Sequence, residues 1–205
     1  MIGIVDVDLG NLGPLRQALY SLGQQVALIS APSAPDDVSH LLLPGVGAFR
    51  AAMGKLAGAG LVEPIREFVK SRRSLLGICL GMQLLATEGD EGGVTPGLAL
   101  VPGRVVPLAP KAGFRIPHVG WNEIRRARQH PVLQGIRNDG DFYFVHSYQF
   151  AADEPADVYA EAEYGEPFSA IVGRANVLGV QFHPEKSQAN GLRILDNFCA
   201  WSGAC

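Results

Sequence analysis

The chain has few of the features that mark secreted, membrane-spanning or metal-binding proteins. Its 205 residues include only three cysteines, Cys79, Cys199 and Cys205, and their odd number and irregular spacing match neither a disulfide framework nor a metal site. No run approaches ~18 apolar residues, and residues 1–7 lack the positive charges that open a signal peptide. We therefore expect a cytoplasmic protein in a reducing compartment, without a bound metal.

Strong charge of either sign is also absent. The formal net charge is −3 at pH 7 with the signs interspersed, so there is no basic stripe that would attract nucleic acid. Hydrophobic residues make up 47% of the chain and charged residues 18%, which is ordinary for a soluble enzyme. A chain of 205 residues can bury a sizeable core, so we expect residues 1–205 to form one domain.

The most informative feature of the chain is Cys79, which stands between Gly77 and Gly81 where an apolar run at residues 74–80 gives way to a helical pattern. A side chain at a sharp strand-to-helix turn points away from both elements, and the helix N-terminus favours a thiolate. The pattern is therefore that of a nucleophile elbow. Taken alone, it also fits a buried structural cysteine beside helix-packing glycines.

A second apolar run, residues 177–182, ends at an imidazole and a carboxylate. His183 and Glu185 are separated by Pro184, and in an extended segment residues i and i+2 lie on the same side. A cysteine nucleophile needs a base to take its proton, and the base needs a third group to fix its tautomer. We therefore predict Cys79 as nucleophile, His183 as base and Glu185 as orienting group. The His-x-Glu pair alone also fits a solvated loop.

A glycine-rich turn, Gly45-Val46-Gly47, follows the apolar run at residues 41–44. Ligands bind outside the carboxyl ends of the strands of an open parallel sheet, so we expect this turn near the elbow. Acyl transfer produces an oxyanion, which backbone N–H groups can stabilise. We expect the Leu80 amide and residues 45–47 to supply these groups, with a Gly45–Val46 peptide that can rotate. The alternative is an ordinary strand-to-helix turn.

The order of apolar and helical patterns predicts an α/β fold. In the first half, apolar runs alternate with helical stretches, which indicates an open, mostly parallel or mixed sheet with helices on both faces. The runs are residues 1–7, 26–29, 41–44 and 74–80, and the helical stretches are residues 11–22, 48–69 and 82–87. The second half predicts strands at residues 98–107, 142–150, 158–163, 168–173 and 177–182, a hairpin at residues 174–176 and an exposed connection at residues 88–96. A closing helix over residues 187–201 would begin at Ser187 as N-cap and bury Leu192, Leu195 and Phe198.

Several segments carry a resemblance to a known family. GICLGMQLL at residues 77–85 and QFHPEKS at residues 181–187 resemble the two signatures of the class I, triad-type glutamine amidotransferases. LPGVGAF at residues 43–49 is similar to the oxyanion strand of the glutaminase subunits of imidazole glycerol phosphate synthases, enzymes of histidine biosynthesis. Further similar stretches are residues 4–6, 10–12, 117–122 and 144–148, so the resemblance spans nearly the whole chain.

The resemblance implies a function for these residues. It implies that a Cys-His-Glu triad hydrolyses L-glutamine to glutamate and ammonia without a cofactor. It also implies a heterodimer with a cyclase subunit, a (β/α)8 barrel that uses the ammonia to form imidazole glycerol phosphate and aminoimidazole carboxamide ribotide. The residues implied to contact glutamine are Gln83, His146, Ser147 and Tyr148.

The resemblance also implies a partner interface. Residues 117–122 are rich in proline and glycine and predict a loop, on which Trp121 either fills a local core or anchors a partner. The resemblance favours the partner and implies contacts by Pro117, His118, Trp121 and Asn122. Asn11 either caps a helix or lies at the rim of the same interface. Val7 and Asp8 depart from the aromatic residue and glycine that are common in the family.

Two other functions remain open. The glutaminase subunit of an anthranilate or aminodeoxychorismate synthase would share the elbow and the His-Pro-Glu segment, but residues 117–122 and 145–148 disfavour it. A non-catalytic interaction module of the same fold would not need Cys79, His183 and Glu185, so the presence of all three disfavours that alternative.

Overall fold

The computed structural model describes residues 1–32, 38–109 and 113–204. Cys205 therefore lies outside the described residues. The strands of the described chain are β1 (Ile2–Val5), β2 (Val26–Ile29), β3 (His40–Gly45), β4 (Ser74–Cys79), β5 (Glu88–Gly89), β6 (Thr95–Pro96), β7 (Gly103–Pro107), β8 (His118–Arg126), β9 (Gly140–His146), β10 (Tyr148–Ala152), β11 (Val158–Tyr164), β12 (Glu166–Arg174) and β13 (Val177–Val180).

The central sheet is mixed and has nine strands, in the order β2-β1-β3-β4-β13-β12-β11-β8-β9. Neighbouring strands from β2 to β13 are parallel, and those from β13 to β9 are antiparallel. A smaller sheet has the order β10-β7-β5-β6. These pairings confirm the predicted α/β fold with a mixed sheet, and they confirm the hairpin at residues 174–176, which joins β12 to β13.

Helices cover both faces of the central sheet. They are α1 (Gly13–Ser21), α2 (Phe49–Gly58), α3 (Val62–Lys70), α4 (Leu80–Gln83) and α5 (Gln188–Ala200). Helices α1 and α5 pack into the same buried cluster as Leu42 of β3, whereas α2 and α3 pack into the cluster of Leu41 and Leu43. Successive strand residues point to opposite faces, so the two clusters lie on opposite sides of the sheet. None of the helices in the described ranges is long and apolar enough to cross a membrane.

Three helix predictions need correction. The helical stretch expected at residues 82–87 is the short helix α4, which ends at Gln83. The helical stretch at residues 48–69 is two helices, since Gly60 adopts φ 69° between them and a left-handed residue ends a helix. Ser187 precedes α5 as expected, but its side chain makes no capping bond within the described chain. Its hydroxyl instead donates to the His183 carbonyl at 2.6 Å and accepts from the Tyr143 N–H at 2.9 Å. Ser187 therefore ties the segment after β13 to β9.

Four predictions in the second half were wrong in type or extent. Residues 117–122 were predicted as a loop, but from His118 onward they belong to β8, because pairing with β9 outweighs the local proline and glycine signals. Residues 142–150 form two strands, since the chain leaves the central sheet after His146 and enters the smaller sheet at Tyr148. Residues 98–107 are a strand only from Gly103, and the connection at residues 88–96 contains β5 and β6.

Candidate active site

Strand β4 ends at Cys79, and helix α4 begins at the next residue. Cys79 has φ 55° and ψ −113°, a strained backbone conformation for a residue with a side chain. A Cβ on Gly81 would lie 1.7 Å from the Leu43 carbonyl oxygen, and one on Gly77 would lie 2.5 Å from the Gly81 carbonyl oxygen. Glycine is therefore required on both sides for α4 to start against the sheet. The motif builds an elbow with a buried thiol at its tip.

Strand β13 runs parallel to β4, so the segment that follows it reaches the same edge of the sheet as Cys79. There His183 Nδ1 lies 2.8 Å from Glu185 Oε1, and both side chains are almost entirely buried. Pro184–Lys186 form a 3-10 turn, so the carboxylate reaches the ring by folding back, not by the strand alternation that we expected. Because an ionised carboxylate only accepts, it holds a proton on Nδ1 and leaves Nε2 for the thiol.

The surroundings of His183 favour its protonated form. Burial alone would lower its pKa, but hydrogen bonds and charge interactions with Cys79 and Glu185 outweigh burial and raise the pKa of His183 to about 9. A proton that this imidazole receives is therefore retained near neutral pH, beside the thiol.

The thiol opens onto a cavity of about 380 Å³, a volume in the usual range of small-molecule sites. Its walls are formed by Val46, Gly47, Cys79, Leu80, Gln83, Glu91, Pro117, Val145, His146, Ser147, Tyr148, His183 and Lys186. Cys79 Sγ lies 3.6 Å from the Val145 carbonyl oxygen and 3.9 Å from Gln181 Nε2. Among the described residues, no three His, Cys, Asp or Glu side chains are grouped as a metal site.

The glycine-rich turn lies beside the thiol, because β3 pairs with β4 so that Gly45 is opposite Cys79. Leu80 is the first residue of α4, so its amide belongs to the N-terminus of that helix. The Val46 N–H donates instead to the Leu9 carbonyl at 2.8 Å. Of the two predicted oxyanion donors, one is thus engaged by the loop after β1, and the Gly45–Val46 peptide would have to rotate to release it.

A family model described as glutamine amidotransferase class-I matches residues 4–201. The chain belongs to the class-I glutamine amidotransferase family. It is 45% identical to the imidazole glycerol phosphate synthase subunit HisH of Desulfitobacterium hafniense (strain DSM 10664 / DCB-2) over 201 residues, which cover 98% of this chain and 94% of the relative. It is 46% identical to the subunit of the same name from Geobacillus kaustophilus (strain HTA426) over 202 residues, 97% of this chain and 95% of the relative. The predicted resemblance is confirmed.

Solved structures agree on the fold of this amidotransferase. A crystal structure of a glutamine amidotransferase superposes with a TM-score of 0.77 at 20% identity and covers 99% of both chains. The structure of PurLQS from Thermotoga maritima superposes with a TM-score of 0.74 at 16% identity and covers 97% of both chains. At these identities the likeness concerns the fold alone.

All four residues predicted to contact substrate line the cavity: Gln83, His146, Ser147 and Tyr148. The buried Gln83 side chain donates from Nε2 to the Tyr148 carbonyl at 3.2 Å and to Gln181 Oε1 at 3.1 Å. The His146 ring is buried, and its Nδ1 lies 2.8 Å from the same carbonyl. The structure therefore brings these residues together as one wall, and their contact with a substrate stays a prediction.

Two charged residues that line the cavity, Glu91 and Lys186, were not predicted as site residues from the sequence. Glu91 lies in the stretch expected to be an exposed connection, yet it is half-buried, and its Oε2 accepts from the Phe49 N–H at 2.7 Å. The smaller sheet carries it to the cavity, and no local periodicity indicates this placement. Lys186, which follows Glu185 in the family signature, is exposed at the same cavity.

The residues predicted at a partner interface divide into two groups. Trp121 is 48% exposed and meets the Tyr143 ring edge-on, and Val119 beside it is 56% exposed. Trp121 is therefore not a core residue. Pro117 is exposed at the cavity, and Asn11 is exposed while its Oδ1 accepts from the Gly13 N–H at 2.9 Å. Asn11 thus ties down the start of α1 and still faces solvent.

The side chains of His118 and Asn122 lie on the face of β8 opposite to that of Trp121. The His118 side chain is only 3% exposed and stacks on Tyr164 with ring centroids 4.1 Å apart. Asn122 is half-buried and donates from Nδ2 to the Glu163 carbonyl at 2.8 Å. Alternation along β8 sends these side chains inward, so His118 has little surface for direct contact, and its place at a partner interface stays a prediction.

Proposed function

We propose that this chain is the glutaminase subunit of an imidazole glycerol phosphate synthase and hydrolyses L-glutamine to glutamate and ammonia. The observation that carries the proposal is the meeting of the Cys79 elbow, the His183–Glu185 pair and the glycine-rich turn at one cavity. Family membership and 45% identity to a HisH subunit over 98% of the chain support it.

In the proposed mechanism Cys79 Sγ attacks the carboxamide carbon of glutamine while His183 takes the thiol proton. The tetrahedral intermediate collapses with cleavage of the C–N bond, and His183 gives its proton to the departing ammonia. A thioester remains on Cys79. Water then attacks the thioester carbon and gives its proton to His183, which returns it to sulfur as glutamate leaves. Glu185 holds the ring in the required tautomer and stabilises its charge.

The developing oxyanion would be stabilised by the backbone N–H groups of Leu80 and Val46. The 2.8 Å bond from the Val46 N–H to the Leu9 carbonyl describes a resting state in which only the Leu80 donor is available. Rotation of the Gly45–Val46 peptide would bring the second donor to the site, and glycine at position 45 lowers the steric cost of that rotation. A partner would activate the enzyme by binding more tightly to the rotated state.

The charges of the cavity suit an amino-acid substrate. The half-buried carboxylate of Glu91 complements an α-ammonium group. Gln83 and residues 146–148 line the same cavity and would contact the rest of the substrate. An amino acid of this size requires no cofactor for amide hydrolysis by a thiol.

The proposed partner is a cyclase subunit with a (β/α)8 barrel, in a cytoplasmic heterodimer that serves histidine biosynthesis. The word "subunit" in the names of the relatives supports a partner, and the exposed apolar side chains of Val46, Val119 and Trp121 supply a surface for one. Ammonia released in the cavity would pass through the covered interface to the cyclase.

Replacement of Cys79 by alanine tests the proposal. The Cys79→Ala subunit should fold and bind a cyclase, and the complex should lose glutamine-dependent synthesis while its ammonium-dependent synthesis persists. Cys199→Ala is the matched control, since Cys199 is the other described cysteine and burial raises its pKa to about 12, which leaves an inert thiol. Substantial glutamine-dependent turnover in Cys79→Ala would exclude Cys79 as nucleophile. Turnover with a chorismate-utilising partner and none with a cyclase would favour the anthranilate-type alternative.

A further inference from the structure

Two buried histidines share a hydrogen bond at the cavity wall: His146 lines the cavity, and His118 is the residue bonded to it. His118 Nδ1 lies 2.9 Å from His146 Nε2, and His146 Nδ1 lies 2.8 Å from the Tyr148 carbonyl oxygen. A carbonyl only accepts, so His146 must carry its proton on Nδ1 and accept at Nε2. His118 must then donate from Nδ1, and its Nε2 faces the Asn122 amide at 3.5 Å. The direction of the whole relay is set by its last acceptor.

The charge state of the pair agrees with this direction. Burial lowers the pKa of both His118 and His146 to about 4, so both rings are neutral near pH 7. A neutral imidazole has one donor and one acceptor, and each of these rings uses both in the relay. The pair is thus satisfied in a single tautomer arrangement.

The His118 ring is held in place by its neighbours. It stacks on Tyr164 at 4.1 Å and on Phe144 at 5.2 Å, and it meets the edge of Phe168 at 5.6 Å. An apolar side chain would pack among these aromatic rings without the cost of desolvating an imidazole. The polar group at position 118 has a role that packing alone does not require.

The relay ends at the glutamine-facing wall. The Tyr148 carbonyl accepts from His146 Nδ1 and also from Gln83 Nε2 at 3.2 Å. Gln83 in turn bonds Gln181, whose amide lies 3.9 Å from Cys79 Sγ. This carbonyl is therefore the junction between the histidine pair and the side chains that surround the thiol.

We infer that His118 is a positioning residue for glutamine binding, which acts through His146 to hold the Tyr148 carbonyl and the Gln83 side chain in place. The inference rests on the proposed glutaminase function. His118 touches neither the thiol nor the triad, which is carried by β4 and by the turn after β13. Its loss should therefore weaken binding of substrate and transition state equally, which raises KM and leaves kcat nearly unchanged.

Three substitutions at position 118 separate positioning from packing. His118→Asn keeps an N–H at the place of Nδ1, His118→Gln moves the amide toward the place of Nε2, and His118→Leu removes all polarity while it preserves bulk. Steady-state glutamine hydrolysis by the complex with a cyclase should give a KM about tenfold higher for His118→Leu, with kcat within about threefold. His118→Asn should recover most of the loss although it fills less space. Tyr164→Phe, which keeps the stacked ring but loses the hydroxyl bond to the Arg115 carbonyl, should leave KM unchanged.

A second substitution tests the route through His146. His118→Leu added to His146→Leu should change KM no further, because both break the same relay. Independent, multiplicative effects would overturn the route, and an unchanged KM in His118→Leu would overturn the inference. If His118→Leu does not fold, the Asn and Gln variants decide: a KM for His118→Asn at or above that of His118→Gln overturns the inference. A wild-type complex without glutamine hydrolysis would overturn the proposed function and the inference with it, whereas hydrolysis with unaltered variant KM values overturns the inference alone.

Discussion

The two sides of the cavity differ in how completely they are assembled. On one side Cys79 and His183 are buried, the Glu185 side chain is 11% exposed, and the imidazole and carboxylate are joined at 2.8 Å. On the other side Val46 is 50% exposed, and its N–H is bonded to the Leu9 carbonyl. On the proposed assignment, the strand ends already bring the triad side chains together, whereas the oxyanion site would need rotation of the Gly45–Val46 peptide.

The difference has a structural cause. The triad side is set by adjacent parallel strands, β4 and β13, whose ends meet at one edge of the sheet. The orientation of the Gly45–Val46 peptide is instead set by its hydrogen bond to the loop after β1. In that loop Asp8 adopts φ 57°, and its carbonyl accepts from Lys55 Nζ at 2.6 Å. A left-handed conformation carries a steric cost at Asp8 that glycine would avoid.

The largest expected effect is on the assembled side. His183→Ala removes the proton partner of both the thiol and the leaving group, so glutamine hydrolysis should fall on the order of 10⁶-fold in kcat. Ammonium-dependent synthesis by the complex should survive and serves as the control for folding and assembly. Hydrolysis near the wild-type rate would show that the imidazole is not the base.

Glu185→Gln should be less damaging than His183→Ala. The amide keeps the shape of the carboxylate but loses its charge and its preference for the Nδ1 proton, so kcat should fall on the order of 10⁴-fold. Steady-state glutamate release by both variants, with folding checked by circular dichroism, gives the order of severity. A larger loss in Glu185→Gln would reverse the two assigned roles.

Completion of the oxyanion site should have the next largest effect. One oxyanion donor is worth on the order of 10² to 10³ in rate, so the isolated chain should be slower than the activated complex by at least that factor. Glutamate release is measured for the chain alone, with a cyclase, and with a cyclase plus its nucleotide ligand. Equal rates in all three would remove the proposed difference between the two sides of the cavity and leave the triad assignment standing.

Trp121→Ala tests whether the exposed strand β8 holds the partner beside the oxyanion turn. Loss of an interface anchor should weaken association by about 2 kcal/mol, roughly a 30-fold rise in Kd, with little change in the stability of the isolated chain. Trp201→Ala is the matched control, because Trp201 is 3% exposed and its loss should cost roughly 3 kcal/mol or more of folding stability. If the two variants lose similar stability, Trp121 is a core residue in solution.

The smallest expected effect is on pH-dependent stability. The folded-state pKa of His183, about 9, lies above its ordinary value of 6.5, so the folded state retains a proton that the unfolded state releases. This stabilisation is fully present below pH 6.5 and is lost as pH rises through about 9. The Tm of the wild type should therefore fall by a few degrees relative to His183→Ala across this window. A constant difference in Tm between the two proteins would contradict the raised pKa.

The parts of the site that could be predicted are those with local signals. Gly77, Cys79 and Gly81 mark the elbow because the close approach of α4 to the sheet excludes any Cβ at the two glycines. His183 and Glu185 are two positions apart, so they meet whether the backbone is extended or turned, and the expected pairing holds although the expected strand geometry does not.

The parts that could not be predicted depend on contacts between distant segments. The strand at residues 117–122 exists because β9 pairs with it, against the local signals of its proline and glycine. Glu91 reaches the cavity because the smaller sheet folds over it, and the break of the strand at Ser147 follows from membership of two sheets. None of these has a periodicity that a window of neighbouring residues could reveal.

The sequence by itself determined the order of helices and strands in the first half, the chemical types at the elbow and the pairing of an imidazole with a carboxylate. These follow from periodicity and from residues close in the chain. Only the tertiary structure decided that the His118 ring turns inward to His146 and that the Val46 N–H bonds the Leu9 carbonyl. Both depend on partners supplied by other strands, and a glycine-flanked peptide has too small an intrinsic preference to choose its orientation without them.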